Sequence, residues 1–156
     1  MKVLMVCLGN ICRSPMAHGI LRSIAKTNGL EIEVDSAGTS SYHIGDPPDL
    51  RQQETALKKG IDISDLRARQ FTVQDFDEFD LIYAMDDSNY NNLIALSRDE
   101  KDRSKLHMIL NESHPDRYES VPDPYYGGSE GFELVYDLLN NACEIITKKL
   151  KDGTYG

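Results

Sequence analysis

The chain has 156 residues, 40% hydrophobic and 28% charged, enough for one domain with a substantial core, expected to span residues 1–156. With 17 Lys and Arg against 26 Asp and Glu the net charge is −9, which argues against nucleic acid or an anionic membrane as the main partner. No segment is apolar for long enough to span a bilayer, no small-residue cleavage site follows the N-terminal run, and three cysteines suit a reduced, cytoplasmic protein.

In chain order, KVLMVCL (from Lys2) reads as a buried strand, because an unbroken apolar run suits a parallel sheet covered on both faces. Ser14 and Pro15 read as the N-cap and first position of a helix. Its apolar residues Met16, Ala17, Ile20, Leu21, Ile24 and Ala25 recur at helical spacing until Asn28 and Gly29 stop it. EIEVDSAGT (from Glu31) predicts a second strand. Asp46-Pro47-Pro48 opens a helix that Gly60 closes, and Thr72 starts a short helical piece carrying Phe76. LIYAM (Leu81–Met85) predicts a third strand, followed by a helix through Asn89 to Leu96. KLHMIL (from Lys105) predicts a fourth strand. From Phe132 to Leu150 the residues Phe132, Val135, Tyr136, Leu139, Cys143, Ile146 and Leu150 form one apolar stripe, which makes Cys143 a core residue. Alternating strands and helices predict an α/β three-layer sandwich on a short four-stranded parallel sheet. With the first strand central, right-handed crossovers favour the flavodoxin-like order 2-1-3-4, and the crevice opens at the carboxyl end of that strand.

That end carries VCLGNICRSP (Val6 to Pro15). A loop between a strand and a helix N-terminus aims several backbone N–H groups at one point, and the helix dipole adds to their field. Gly9 and Asn10 tolerate the dihedrals such a cradle needs, and Arg13 supplies a planar fork matched to two phosphate oxygens. An acidic protein thereby gains a local anion site. The same field is expected to hold Cys7 as a thiolate, within reach of the Ser14 hydroxyl. Thiolate and phosphate sharing one bowl is the ground plan of a phosphocysteine enzyme. The loop is not a Walker A motif, since it lacks the Gly-Lys-Ser/Thr ending. In SVPDPYYGG (from Ser120), prolines stiffen the backbone around Asp123. That suits a positioned proton donor and equally suits a plain turn. His18, His43, His107 and His114 are scattered, read as surface or helix-face residues, and imply no metal site; no cofactor is expected.

With these residues in place, the sequence resembles the low-molecular-weight protein tyrosine phosphatases. It carries their Cys-x5-Arg-Ser signature near the N-terminus, and VDSAGT, GDPPD, ARQ, FDLIYAMDDSN and DPYYG follow in the family's order across nearly the whole chain. The resemblance implies metal-independent hydrolysis of phosphotyrosine and small aryl phosphates. Cys7 would be the nucleophile, Arg13 the anion clamp and Asp123 the general acid and base. Leu8, Gly9, Asn10, Ile11, Cys12 and Ser14 would line the anion loop, with Tyr42 and Tyr126 at the pocket rim, Tyr125 a further loop aromatic on which an aryl phosphate would stack, Ser36 anchoring the loop from the second strand, and Asp86 anchoring it or holding Arg13. It implies a phosphotyrosyl protein as partner, inhibition by phosphate or similar oxyanions, and a reversible disulfide between Cys7 and Cys12 on oxidation. Phosphoarginine phosphatases of the same fold tend to carry Thr where this chain has Ile11, so an aryl substrate is expected. Thioredoxin-coupled arsenate reductases need two further cysteines near the third strand, where LIYAMDDSNYNNLIAL has none. An anion-binding module without catalysis would not need both Cys7 and Asp123.

Overall fold

The computed structural model describes residues 1–124 and 129–153. Four strands, β1 (Lys2–Cys7), β2 (Glu33–Gly38), β3 (Leu81–Ala84) and β4 (Leu106–Met108), form one parallel sheet in the order β2-β1-β3-β4. The helices are α1 (Arg13–Thr27), α2 (Leu50–Lys58), α3 (Asp75–Glu78), α4 (Asp87–Leu96), α5 (Glu100–Ser104) and α6 (Ser129–Lys151). The three-layer α/β sandwich and the strand order expected from the sequence are what the chain adopts.

Strand periodicity divides the core in two. Val3, Met5 and Cys7 of β1 face one layer, with Met16, Ile20 and Leu21 of α1 and Val135, Leu139, Cys143 and Ile146 of α6. Leu4 and Val6 face the other, with Phe71, Phe76, Phe79 and Leu93. Both faces of β1 are dry, which is why its sequence is continuously apolar. Cys143 is buried on its stripe, as expected; Tyr136 and Leu150 are half-buried at its margin.

The ends of the elements differ from expectation, each for a local reason. β2 begins at Glu33 because its pairing starts opposite Lys2, the first residue of β1. α2 begins after Asp49, whose carboxylate caps the Arg51 N–H at 2.8 Å; Pro47 and Pro48 stay outside the helix. α3 starts at Asp75, three residues beyond Thr72. β4 stops at Met108, where Ile109–Asn111 turn into a 3-10 helix. α5 was not expected at all: it is polar and has no apolar stripe. Asp99 caps it, and Asp102 is buried beneath Arg98. α1 begins at Arg13, and Ser14 does not cap it, because the hydroxyl is committed elsewhere.

Of the surface or helix-face roles expected of the histidines, His18 takes the second, on a buried face. It is 5% exposed on α1, with Nδ1 3.0 Å from the Ser36 hydroxyl. Burial, assisted by Arg22, lowers its pKa to about 4. An unfolded chain accepts that proton near pH 6.5 while the folded one resists it, so stability present above pH 6.5 is lost as the pH falls towards 4. The gap is worth about 3 kcal/mol. In urea titrations at pH 7 and pH 4, parent and His18→Asn are therefore expected to differ in their acid loss of stability by that order. Equal losses would show that His18 is not the group responsible.

Candidate active site

The β1–α1 connection runs from Cys7 to Arg13 at the carboxyl end of the central strand, at the point where the chain switches from β2 to β3 as neighbour. Neighbouring backbone holds it. Thr39 N–H donates to the Cys7 carbonyl and Ser40 N–H to the Leu8 carbonyl, both at 2.9 Å, while Asp49 N–H donates to the Ile11 carbonyl at 2.8 Å. Gly38 lies so close beneath the loop that a Cβ there would stand 2.7 Å from the Leu8 carbonyl oxygen, so only glycine fits.

Asn10 sits at φ 58°, in the left-handed region that Asn tolerates, and its side chain ties the loop together. Its Oδ1 accepts from the Arg69 backbone N–H at 3.1 Å, which turns its Nδ2 toward the Ser14 hydroxyl at 2.7 Å. Having accepted that bond, Ser14 Oγ has its single proton left for Cys7 Sγ, 3.0 Å away. The Asn10 backbone N–H points at the same sulfur from 3.3 Å. Two donors therefore converge on one sulfur, the arrangement that stabilises a negative charge there.

Arg13 stands beside it, 3% exposed. Its Nη1 donates to Asp86 Oδ2 at 2.7 Å and to the Val121 carbonyl at 3.1 Å, and its Nη2 lies 3.7 Å from Asp123 Oδ2. Burial works against the guanidinium charge, but the charges of Cys7, Asp86 and Asp123 outweigh it and raise its pKa. Asp86 does two jobs: it caps α4 through the Asn89 N–H at 2.7 Å and fixes the fork of Arg13. Of the two roles expected of Asp86, it takes the second, holding Arg13, and caps α4 as well.

These groups surround a cavity of about 290 Å³ lined by Cys7, Leu8, Gly9, Ile11, Cys12, Arg13, Tyr42, His43 and Asp123. Tyr42 stands exposed on its wall and Asp123 at its opening. Cys12 is buried, and burial followed by the charge of Asp49 pushes its thiol pKa up; Cys7, Cys12 and Cys143 are all free thiols. Ser36 is the residue that does not meet the loop: its hydroxyl bonds His18, so it braces α1 from β2. Tyr125 and Tyr126 lie outside the described residues.

Four contributors were not singled out from the sequence. Gln52, fully buried on α2, donates to the Cys12 carbonyl at 2.9 Å. Arg69 reaches Asn10 through its backbone while its side chain bonds Asp35 and Asp75. Gly38 admits the loop, and His43 forms part of the wall. The available signals are the ARQ motif around Arg69 and the VDSAGT motif that contains Gly38. No three His, Cys, Asp or Glu side chains among the described residues gather as a metal site requires, and no described helix is long and apolar enough to cross a membrane.

The chain is similar to known proteins over nearly its whole length. The family model "Low molecular weight phosphotyrosine protein phosphatase" matches residues 2–154. A putative low molecular weight protein-tyrosine-phosphatase of Synechocystis is 51% identical over 145 residues, 92% of either chain. A crystal structure of a protein tyrosine phosphatase from Entamoeba histolytica, with Hepes in its active site, superimposes with a TM-score of 0.92 at 38% identity over 99% of both chains. A Drosophila arginine phosphatase superimposes with a TM-score of 0.89 at 35% identity, over 97% of this chain and 98% of its own.

Proposed function

Since the chain belongs to the low molecular weight phosphotyrosine protein phosphatase family, we propose that it hydrolyses phosphotyrosine and small aryl phosphates through a phosphocysteine on Cys7. The observation that carries this reading is the convergence of the Ser14 hydroxyl and the Asn10 N–H on Cys7 Sγ, beside Arg13, in a cavity with Asp123 at its mouth. In the first step the thiolate attacks phosphorus in line, forming the S–P bond as the P–O(aryl) bond breaks, and Asp123 gives its proton to the departing oxygen. In the second, Asp123 takes a proton from water, the water oxygen attacks phosphorus, and the S–P bond breaks to return the thiolate and release phosphate. Arg13 and the amides of Leu8, Gly9, Asn10, Ile11, Cys12 and Ser14 stabilise the equatorial oxygens in both transition states.

Tyr42 offers a face on which an aryl ring stacks, and the branched apolar Ile11 favours a ring over a guanidinium. The family resemblance adds Tyr126 to the rim and the sequence offers Tyr125 as a further aromatic, both outside the described residues. Phosphate and similar oxyanions are expected to compete for the loop. Three free thiols fit a cytoplasmic, reducing setting. The second reading is phosphoarginine hydrolysis, which the similarity to the arginine phosphatase favours. Hydrolysis of p-nitrophenyl phosphate with EDTA present, then of phosphotyrosine against phosphoarginine, tests all of this. Turnover is expected in EDTA, with phosphotyrosine preferred. A preference for phosphoarginine selects the second reading, and no turnover on any of the three refutes both.

A further inference from the structure

Apolar side chains cost free energy when left in water, and a cluster of them beside a pocket marks a contact surface. Nine large apolar side chains stand exposed among the described residues. Met1, Leu57, Leu96, Tyr118 and Leu134 are spread over separate elements. The other four, Leu8 (43%), Tyr42 (80%), Ile44 (58%) and Leu50 (73%), lie on the anion loop and on the β2–α2 connection that ends at Leu50. Leu8 and Tyr42 already line the cavity.

The other two adjoin it along the chain. Ile44 stands between His43, a wall residue, and Gly45, whose N–H is held by the Ala68 carbonyl at 2.8 Å. Leu50 follows Asp49, whose N–H is bonded to the carbonyl of Ile11, another wall residue. Leu50 does not serve the packing of its own helix, whose buried residues are Gln52, Thr55 and Ala56. Ile44 and Leu50 are therefore exposed apolar side chains, each one residue along the chain from a residue that lines the cavity or is bonded to its wall.

We propose that Ile44 and Leu50 form a subsite for a large apolar side chain next to the phosphotyrosine of a peptide substrate, and that the favoured flanks are free of acidic residues. The proposal rests on the catalytic reading above and adds the substrate class. The flank preference follows from charge. The phosphate is received by the loop and Arg13, but carboxylates beyond the pocket meet a protein of net charge −9, with the Asp46 carboxylate exposed near Ile44.

The test uses phosphotyrosyl heptapeptides with Leu, Gly or Glu at both positions flanking the phosphotyrosine, and p-nitrophenyl phosphate as a substrate with no flanks. For the parent, kcat/KM is expected to be about tenfold higher for the Leu-flanked than for the Gly-flanked peptide, equivalent to about 1.4 kcal/mol. The difference should lie mainly in KM, and the Glu-flanked peptide should be poorest. In the Ile44→Ser/Leu50→Ser double variant the Leu and Gly peptides should converge, while p-nitrophenyl phosphate hydrolysis stays at the parent rate. Equal use of the peptides by the parent, a preference for Glu flanks, or a Leu preference that survives in the double variant overturns the subsite. A parent inert toward p-nitrophenyl phosphate overturns the catalytic reading, and this inference with it.

Discussion

Cys7→Ser is expected to abolish turnover of p-nitrophenyl phosphate while leaving inorganic phosphate able to bind. The proposed chemistry needs a nucleophile that is ionised before substrate arrives, and an alcohol at this position keeps its proton. Removing the nucleophile of a covalent hydrolase lowers kcat by on the order of 10^6. Binding rests on other atoms: the Arg13 fork held by Asp86 and Val121, and the amides of a loop whose carbonyls accept from the Thr39, Ser40 and Asp49 N–H groups. A serine hydroxyl also remains a partner for Ser14 Oγ, so the Asn10–Ser14 link survives. Phosphate affinity, read by calorimetry or by thermal shift, should therefore stay within about tenfold of the parent's, a change of 1.4 kcal/mol or less. A variant that still turns over at an appreciable fraction of the parent rate excludes the phosphocysteine route. A variant that neither turns over nor binds phosphate shows that the sulfur is needed to build the bowl as well as to attack.

How far such a site is readable without coordinates depends on the sequence distance over which its bonds run. Cys7, Asn10, Arg13 and Ser14 fall within eight residues, and their bonds to one another span three to seven. A strand end, a left-handed Asn and a helix start sufficed to place them together. The stripe of α6 and the dry strand β1 were equally legible, because burial of one face or of both leaves its period in the sequence.

The missed parts are non-local or lack a period. Gln52 meets Cys12 across 40 residues, Arg69 meets Asn10 across 59, and Val121 meets Arg13 across 108. In all three a backbone atom completes the bond, and backbone atoms carry no residue-specific signal. Of the two roles the sequence offers Ser14, a helix cap before Pro15 and a partner for Cys7, the structure takes the second, with the Asn10 amide on the same hydroxyl. Ser36 was assigned to the loop, and a buried histidine on α1 took its hydroxyl instead. α5 escaped because it is held by Asp99 and by the Arg98–Asp102 pair rather than by an apolar face.

Asp123→Asn is expected to lower kcat by about 10²–10⁴-fold on phosphotyrosine, the usual contribution of a positioned general acid. The amide is nearly isosteric and keeps an oxygen for Arg13, so the cavity should retain its shape; what it loses is a proton to give. The loss must then depend on the leaving group. A p-nitrophenolate departs readily without a proton, whereas an alkyl or unsubstituted phenyl oxygen does not, so the parent-to-variant ratio of kcat should grow as the leaving alcohol becomes more basic. A purely structural role for Asp123, such as balancing the charge of Arg13 at 3.7 Å, would lower all substrates by one common factor. The two cases separate in a plot of log kcat against leaving-group pKa: a steeper slope in the variant supports proton donation, and parallel lines remove Asp123 from the chemistry. On phosphotyrosine, where the first step stays limiting, KM should move little, because Arg13 and the loop amides, not Asp123, carry the phosphate; with p-nitrophenyl phosphate KM should fall as the phosphocysteine accumulates. The same variant offers a second reading in pre-steady-state traces. Asp123 also serves as base in the second step, so with p-nitrophenyl phosphate, whose departure needs little help, dephosphorylation of Cys7 becomes the slower half, and a burst of p-nitrophenolate equal to the enzyme concentration should precede the steady rate.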